Sequence, residues 1–503
     1  MLSSTHSKTA VVLFVKDEAF DLPSWIAWHI SYNFDSLIIY DDGSSDLTVD
    51  VINAASKYYD VRLQAVPYKL HFQHRQEAVY MDAAQRLRDE FDWVLFIDAD
   101  EYLYLPNHSN IHDFLQSFPK DVGGIAFNWR CYGDGKNVLR PGVIVPEQFE
   151  YHSMPDLFEN NTVKSLVKIK QMHPVYHDPH RFTVDGNIVN PLGEDVKWHA
   201  EHHRIAHAPD WSNGAILHYV IRSAEHYMDK VKRRSDIRNV IGIDYFSWWN
   251  HNERHAPIPK KRLGQLNKII YTIQHQISLD RLSKAQQCPF IYRESSVKYT
   301  PYSLITFWDT ELCTDNLYGN LVHRKNEDET ANNKDTENVL LFLPNDLNYP
   351  AYLVTTKQDS FIYLSGERYI SSCLSFKASL HGNRVTLRSY TRAILVTCIN
   401  DEIGENIYKI KLSADWENDW EMLTLQPLSE EMASDNRVNH IRKIMQEAAY
   451  VDNIKLFRNE DDLVADIFSA RLAALSGKER NIYCVKNDID GFPWLSNSDN
   501  LSF

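Results

Sequence analysis

Trp93-Val-Leu-Phe-Ile97-Asp98-Ala99-Asp100-Glu101-Tyr102-Leu103 decides the reading of this chain. An apolar run of strand length ends abruptly on acidic residues, so a buried strand delivers carboxylates to its carboxyl end. Carboxylates at i and i+2 just past a strand can share one divalent cation, and an oxygen-ligated Mg2+ or Mn2+ in turn holds the phosphates of a nucleotide. Acids at this spacing also form ordinary solvated turns, so the flanking segments must carry the argument.

Two more runs have the same form. Val11-Val-Leu-Phe-Val15 precedes Lys16-Asp17-Glu18, and Leu37-Ile-Ile-Tyr40 precedes Asp41-Asp42-Gly43-Ser44-Ser45-Asp46; both read as buried strands closing on acids. Between them the period turns helical. Asp21-Leu22-Pro23 supplies an N-cap residue and an early proline before Trp25, Ile26, His29 and Ile30. Leu47, Val51, Ile52 and Ala55 follow the second strand, and Ala78, Val79, Ala83 and Leu87 precede the third. This alternation predicts an α/β domain with a mostly parallel, Rossmann-like sheet and one ligand edge outside the strand carboxyl ends. Neither Gly-X-Gly-X-X-Gly nor Gly-Lys-Ser/Thr follows the first strand, which argues against an ordinary dinucleotide fold and a P-loop enzyme.

In these residues the chain resembles the sugar-nucleotide-dependent glycosyltransferases of the GT-A fold, family 2-like, and within them the branch related to family 92. The resemblance rests on Val15-Lys16-Asp17-Glu18 with Trp25-Ile26-Ala27-Trp28-His29, on Ile39 to Asp46, and on Phe96 to Glu101. It extends through Asn128-Trp129-Arg130-Cys131-Tyr132-Gly133 and His218-Tyr219-Val220-Ile221-Arg222-Ser223-Ala224-Glu225-His226-Tyr227, with Lys230 and Arg233. Tyr132 stands where the branch usually has Phe, and Arg222 where Lys is common. The Gln-X-X-Arg-Trp of processive synthases is missing, which argues against a membrane polysaccharide synthase.

The resemblance implies transfer of a sugar, UDP-hexose with inversion, from a nucleotide-diphosphate donor to a hydroxyl of a glycan or glycoconjugate acceptor. It implies Mn2+ or Mg2+ as cofactor, with Asp98, Asp100 and His218 as metal ligands. Val15 and Asp17 would line the base, Asp41 or Asp42 would read uracil or ribose, Asp98 would reach ribose or metal, and Arg222, Lys164 and Lys168 would neutralise phosphate. His218 reads equally as a core or capping histidine. Inversion needs a general base for the acceptor hydroxyl, and Asp134 and Glu147 are the candidates. The histidines His173, His177, His180, His199, His202, His203 and His207 are interrupted by Pro174 and Pro179 and fit an acceptor site or structural roles better than zinc. Two other functions compete: a nucleotidyltransferase, and a glycan-binding protein without catalysis.

The rest of the chain bounds this reading. With 503 residues and 44% hydrophobic content, more than one domain has a core. A formal charge of −15 disfavours nucleic acid as a partner. Six scattered cysteines without Cys-X-X-Cys spacing read as free buried thiols. No signal peptide and no apolar run near the roughly 20 residues of a membrane span is evident, so a cytoplasmic protein is expected, with peripheral membrane contact left open. Trp248 and Trp249 read either as a sugar platform or as packing.

The expected divisions are 1–285 for the transferase domain, 286–338 for a connecting segment ending in the charged linker 324–338, 339–458 for a β-sandwich, and 459–503 for one helix and a tail. Short strands are expected at 339–343, 361–364, 374–378, 384–389, 393–398, 408–412, 422–426 and 451–457. Leu374 to Ala378, Trp416 to Gln426 and Tyr450 to Leu456 are similar to jelly-roll carbohydrate-binding modules of the galactose-binding-like kind.

Overall fold

The computed structural model describes residues 7–66, 72–199, 204–206, 208–233, 243–316, 318–325, 336–404, 407–457 and 462–495. Its contacts divide the chain into two units, Met1–Arg262 and Leu263–Phe503. The first boundary therefore falls before residue 285, and most of the helix Lys260–Gln287 belongs to the second unit.

The first unit opens with the expected alternation. Strand β1 (Thr9–Val15) leads to α1 (Leu22–Ser31), β2 (Ser36–Asp41), α2 (Thr48–Ser56), β3 (Val61–Ala65), α3 (Phe72–Leu87) and β4 (Trp93–Ile97). These strands lie parallel in the order β3-β2-β1-β4. The chain thus winds outward from β1 in both directions, and the carboxyl ends of β1 and β4 flank the switch point where an open α/β sheet forms its ligand crevice. Valines, isoleucines and aromatics fill the strands because both faces are covered: Val12, Tyr40, Val94 and Phe96 pack with Val79, Tyr80, Ala83 and Leu87 of α3.

Beyond β4 the sheet changes character. After β5 (Glu101–Tyr104) and α4 (Ile111–Leu115) come β6 (Val122–Cys131), α5 (Val145–Gln148), β7 (Tyr151–His152), β8 (Val163–Lys168), β9 (Met172–Asp178), β10 (Arg181–Val184), β11 (Asn187–Val189) and β12 (Ala215–His218). The order continues β4-β8-β6-β12-β5, with β8 antiparallel to β4 and β6, and β12 parallel to β6 but antiparallel to β5. Helices α6 (Ala224–Arg233) and α7 (Ile243–Trp249) follow.

Asp21 occupies the N-cap position of α1 and a proline follows in the first turn, as expected. Asp21 caps nothing with its side chain, because its carboxylate is committed to Arg222 and His226.

The second unit is a ten-stranded antiparallel sheet. Its order runs Tyr299–Ile305, Leu423–Pro427, Arg384–Ser389, Cys373–His381, Ala351–Thr355, Thr336–Pro344, Glu311–Asp315, Leu321–Arg324, Ile407–Ala414, Leu395–Gly404. Extra pairings of Tyr299–Ile305 with Thr336–Pro344, and of Arg388 with Leu395, turn the sheet back on itself.

Four sequence expectations change here. Three strands lie inside 286–338, so that segment is part of the sheet: Leu321–Arg324 and Thr336–Pro344 flank the charged run, whose residues 326–335 lie outside the described residues. The expected last strand, 451–457, is a 3-10 turn over Val451–Leu456. Asn453, Ile454 and Lys455 are buried in succession there rather than alternately. The tail holds a second helix, Gly477–Lys486, started by a Ser476–Glu479 capping box, after Asp462–Ala473. Residues 361–364 contribute only isolated bridges. All six cysteines are free, with Cys288 and Cys484 half-buried. No helix among the described residues is long and apolar enough to cross a membrane.

Strand pairing predicts how truncation behaves. A chain ending at residue 322 strips Tyr299–Ile305 of its partners Thr336–Pro344 and Leu423–Pro427 and leaves unpaired apolar edges. It should aggregate, whereas a chain ending at residue 262 leaves every sheet partner of the first unit in place. Soluble yield and cooperative melting of the two truncations check this; equal behaviour would contradict it.

Candidate active site

The turn after β4 is built from both sides. From α1, the fully buried Trp25 donates its indole N–H to the carbonyls of Asp98 (3.1 Å) and Glu101 (3.0 Å), and Trp28 donates to the Leu103 carbonyl (2.6 Å). Glu101, also fully buried, turns back to accept from the Asp98 backbone N–H at 3.0 Å. The turn is therefore held by its backbone, and the carboxylates of Asp98 and Asp100 are left to other partners.

Each of these carboxylates faces an ammonium. Lys164, on β8 and without exposed side-chain surface, lies 2.8 Å from Asp98 Oδ2 and 3.4 Å from Glu101 Oε2. Gln76 of α3 donates to Asp98 Oδ1 at 2.9 Å. Lys230, on α6, lies 3.0 Å from Asp100 Oδ2 and also donates to the Val220 carbonyl at 2.8 Å. Burial alone would raise the Asp100 carboxyl, but Lys230, His218 and Arg222 together hold it well below the usual carboxylate range. Burial pushes Glu101 up, to about 8, against the opposing charge of Lys164.

His218 enters from the neighbouring strand. In the β12–β5 register it sits opposite Glu101, and Tyr219 donates its N–H to the Asp100 carbonyl at 2.8 Å. This brings His218 Nε2 to 3.8 Å from Asp100 Oδ1. The ring rests on Trp129 with centroids 4.0 Å apart, and its buried Nδ1 has no hydrogen-bond partner. Burial pushes its pKa down to about 4, so the imidazole is neutral near pH 7. Trp249 approaches the same ring at 5.9 Å, while Trp248 is exposed.

Arg222 is placed otherwise than expected. It adopts a positive φ of 55° at the β12–α6 junction, and its guanidinium pairs with Asp21, reaches Glu18 at 3.3 Å and donates to the Ala99 carbonyl at 3.3 Å. A non-glycine residue in that region carries a steric cost of about 1–2 kcal/mol. The return is a clamp on the middle residue of Asp98-Ala99-Asp100. Arg222 is thus tied to protein carboxylates rather than presented to phosphate.

The nucleoside candidates gather at the ends of β1 and β2. Asp17, at φ 53°, accepts from the Ser45 N–H (2.6 Å), while its own N–H donates to Ser44 Oγ (2.8 Å). Asp41 Oδ2 accepts from the N–H groups of Gly43 and Ser44, both at 3.0 Å, and its buried Oδ1 is unpartnered. Gly43 sits at φ 70°, the left-handed conformation such a turn requires. Asp42 is paired with Arg75 at 2.8 Å, and the Val15 carbonyl accepts from the Asp42 N–H at 2.9 Å.

The two base candidates are less closely joined to the acids. Asp134 lies beyond β6, in a turn where its Oδ1 accepts from Lys136 N–H (2.9 Å) and Asn252 Nδ2 (3.1 Å). Tyr132, two residues before it, donates its N–H to the His218 carbonyl at 2.9 Å. Glu147 lies on α5 and accepts from Gln148 Nε2 at 2.8 Å.

The three expected metal ligands are not gathered into one set. Asp98 is drawn to Lys164 and Gln76, and among the described residues no three His, Cys, Asp or Glu side chains could hold one ion. The protein offers the pair Asp100 and His218. Of the other histidines, His180 is half-buried with Nδ1 3.0 Å from the Val163 carbonyl, and His173 pairs with Asp185 at the surface. His202, His203, His207 and the His177 side chain lie outside the described residues. Lys168 lies over the Trp93 ring and is 2.5 Å from the Lys120 carbonyl.

Lys230 and Gln76 were not singled out as site residues from sequence, although His226 and Lys230 share a face at i, i+4 spacing.

The model of glycosyltransferase family 92 matches residues 10–268. A family 92 protein from Oryza sativa subsp. japonica is 31% identical over 109 residues, covering 22% of this chain and 18% of that protein. Another from Ricinus communis is 26% identical over 120 residues, covering 24% and 21% respectively. The matched stretch spans about a fifth of the length of these curated relatives. Among solved structures, S. aureus TarS aligns over 84% of this chain and 100% of its own, at 9% identity and a TM-score of 0.25. Glucosyl-3-phosphoglycerate synthase from Mycobacterium tuberculosis, crystallised with Mn2+, uridine diphosphate and phosphoglyceric acid, aligns over 24% and 43%, at 21% identity and a TM-score of 0.17.

Buried histidines give this unit a pH signature. Burial lowers His29 and His180 to about 3, and His152, His218 and His226 to about 4, from an ordinary 6.5. Between those limits the unfolded chain binds protons that the folded chain does not, so stability falls as pH falls through the window. Glu101 runs the other way, losing stability as pH rises from its ordinary value of 4.5 through about 8, and offsets only part of this. The melting temperature should therefore drop far more between about pH 6.5 and 4.5 than between about pH 8.5 and 6.5. A flat profile across the lower interval would contradict the placement of these imidazoles.

Proposed function

Because the chain belongs to glycosyltransferase family 92, we propose that its first unit transfers a hexosyl group, with inversion, from a UDP-sugar to a hydroxyl of a glycan or glycoconjugate. The observation that carries this reading is the junction of Asp98-Ala99-Asp100 with His218 at the carboxyl edge of a β3-β2-β1-β4 sheet. Acids at a switch-point crevice suit a nucleotide diphosphate.

The residues present fit a divalent cation as a partial site. Mg2+ and ions like it commonly take one or two protein ligands and complete their shell with substrate phosphate and water; Asp100 and the neutral His218, 3.8 Å apart, supply such a pair. When bound, the ion would offset the charge that develops on the departing diphosphate. The chain's own residues do the remaining work in this reading. Asp41 Oδ1, which has no hydrogen-bond partner, would accept an N–H of the base. The Asp17–Ser45 bond fixes the loop beside it. Asp98, held by Gln76 and Lys164, would take the ribose.

For the base that takes the acceptor proton, Asp134 is preferred over Glu147. It lies in the turn two residues after Tyr132, whose backbone N–H donates to the His218 carbonyl.

EDTA should abolish transfer and Mn2+ or Mg2+ should restore it. Asp100→Ala should lower kcat by at least about a hundredfold, the usual cost of removing a charge-stabilising group. Asp134→Asn should cost about 10²–10⁴ in transfer, as expected for loss of a general base, with donor binding retained. Full activity in EDTA would sink the metal assignment, and a fully active Asp134→Asn would move the base to Glu147.

A further inference from the structure

We propose that Lys230 is a resident counter-ion of Asp100 that is handed over to the donor diphosphate, so that the divalent cation and the nucleotide bind only as a mutually dependent pair. This rests on the donor reading above and assigns a residue that reading does not use.

The observations are geometric. Lys230 Nζ lies 3.0 Å from Asp100 Oδ2, while the other oxygen, Oδ1, faces His218 Nε2 at 3.8 Å. The ammonium therefore stands beside the ligand pair that a cation would use. Every acid of the turn already has a cation against it: Lys164 stands between Asp98 and Glu101, Lys230 pairs with Asp100, and Arg222 is spent on Asp21 and Glu18.

A dication entering beside Asp100 alone would add positive charge next to the Lys230 ammonium, 3.0 Å from that carboxylate. One arriving with a diphosphate brings its own compensation, and the phosphate gives Lys230 a new acceptor. Lys230 is suited to that exchange. Its side chain and that of Asp100 both keep about a fifth of their surface exposed, whereas Lys164 has none. Besides Asp100, Lys230 is held by the Val220 carbonyl at 2.8 Å. Lys164 is thus a fixed charge and Lys230 a transferable one.

The coupling is reciprocal: whatever factor UDP adds to Mn2+ affinity, Mn2+ must add to UDP affinity. Calorimetric titration of the full chain with Mn2+, with and without saturating UDP, measures it without any catalytic readout. In the wild-type protein UDP should raise Mn2+ affinity at least about tenfold, within the usual range of such couplings. Lys230→Gln should bind Mn2+ at least about tenfold more tightly than wild type in the absence of UDP, and its coupling to UDP should shrink. Lys230→Arg, which keeps the charge, should stay close to wild type.

Two results would overturn the assignment: a Lys230→Gln protein that melts like wild type yet shows unchanged Mn2+ affinity, or a wild type whose Mn2+ affinity ignores UDP. The second needs no variant and decides the matter should Lys230→Gln fail to fold. If UDP binds neither protein at any Mn2+ concentration, the donor reading fails, and the Mn2+ affinity of nucleotide-free Lys230→Gln alone decides the role of Lys230.

Discussion

The ammonium of Lys164, fully buried between Asp98 and Glu101, is the interaction on which the active edge depends. Three acids on four consecutive residues repel one another, and one of them, Glu101, has no exposed surface. Taking such charges out of water costs several kcal/mol per ion, and removing one partner of a buried pair typically costs about 3–5 kcal/mol. An antiparallel strand, β8, is inserted between β4 and β6 and carries Lys164 to the acids. The departure from a purely parallel sheet is therefore also what makes the acidic turn tolerable.

The same turn is fastened by groups that do no chemistry. Trp25 ties the Asp98 and Glu101 carbonyls to α1, and Arg222 ties the Ala99 carbonyl to Asp21 and Glu18. Asp21 gives up the capping of α1 to do this. With backbone and flanks fixed, Asp100 and His218 keep their relation through strand register rather than through a flexible loop, which is how a site holds its geometry before ligand arrives.

Much of this was legible in the chain, for local reasons. Buried strands announce themselves as apolar runs, so β1, β2 and β4 and the acids that end them could be read directly, as could His218 through its motif. The partners could not. Lys164 is 66 residues from Asp98 and Lys230 is 130 residues from Asp100; such pairs depend on where β8 and α6 fold, which periodicity does not encode. A lone lysine within Val163-Lys164-Ser165-Leu166-Val167 was the available hint, since a buried strand seldom holds an unpaired cation. The motif position of Arg222 suggested phosphate, while its partners in the fold, Asp21 and Glu18, lie 201 and 204 residues away in sequence and were not legible.

In the second unit the strands expected at 374–378, 384–389 and 408–412 lie within Cys373–His381, Arg384–Ser389 and Ile407–Ala414. The segment 451–457 did not: Asn453 satisfies the backbone of Arg293 with its side chain, accepting at 3.1 Å and donating at 2.6 Å, so a side chain does what a neighbouring strand would do. The charged run after Arg324 looked like a domain boundary because polarity marks solvent exposure, but the strands on either side of it, Leu321–Arg324 and Thr336–Pro344, belong to one sheet.

The central claim is that this edge cleaves the bond between a sugar and a nucleoside diphosphate. The most direct test is to incubate the full chain with a panel of UDP-hexoses, Mn2+ and no acceptor but water, and to identify the nucleotide products by phosphorus NMR. The account predicts slow release of UDP with free hexose from at least one donor. Release of pyrophosphate, or no turnover of any donor, would contradict it.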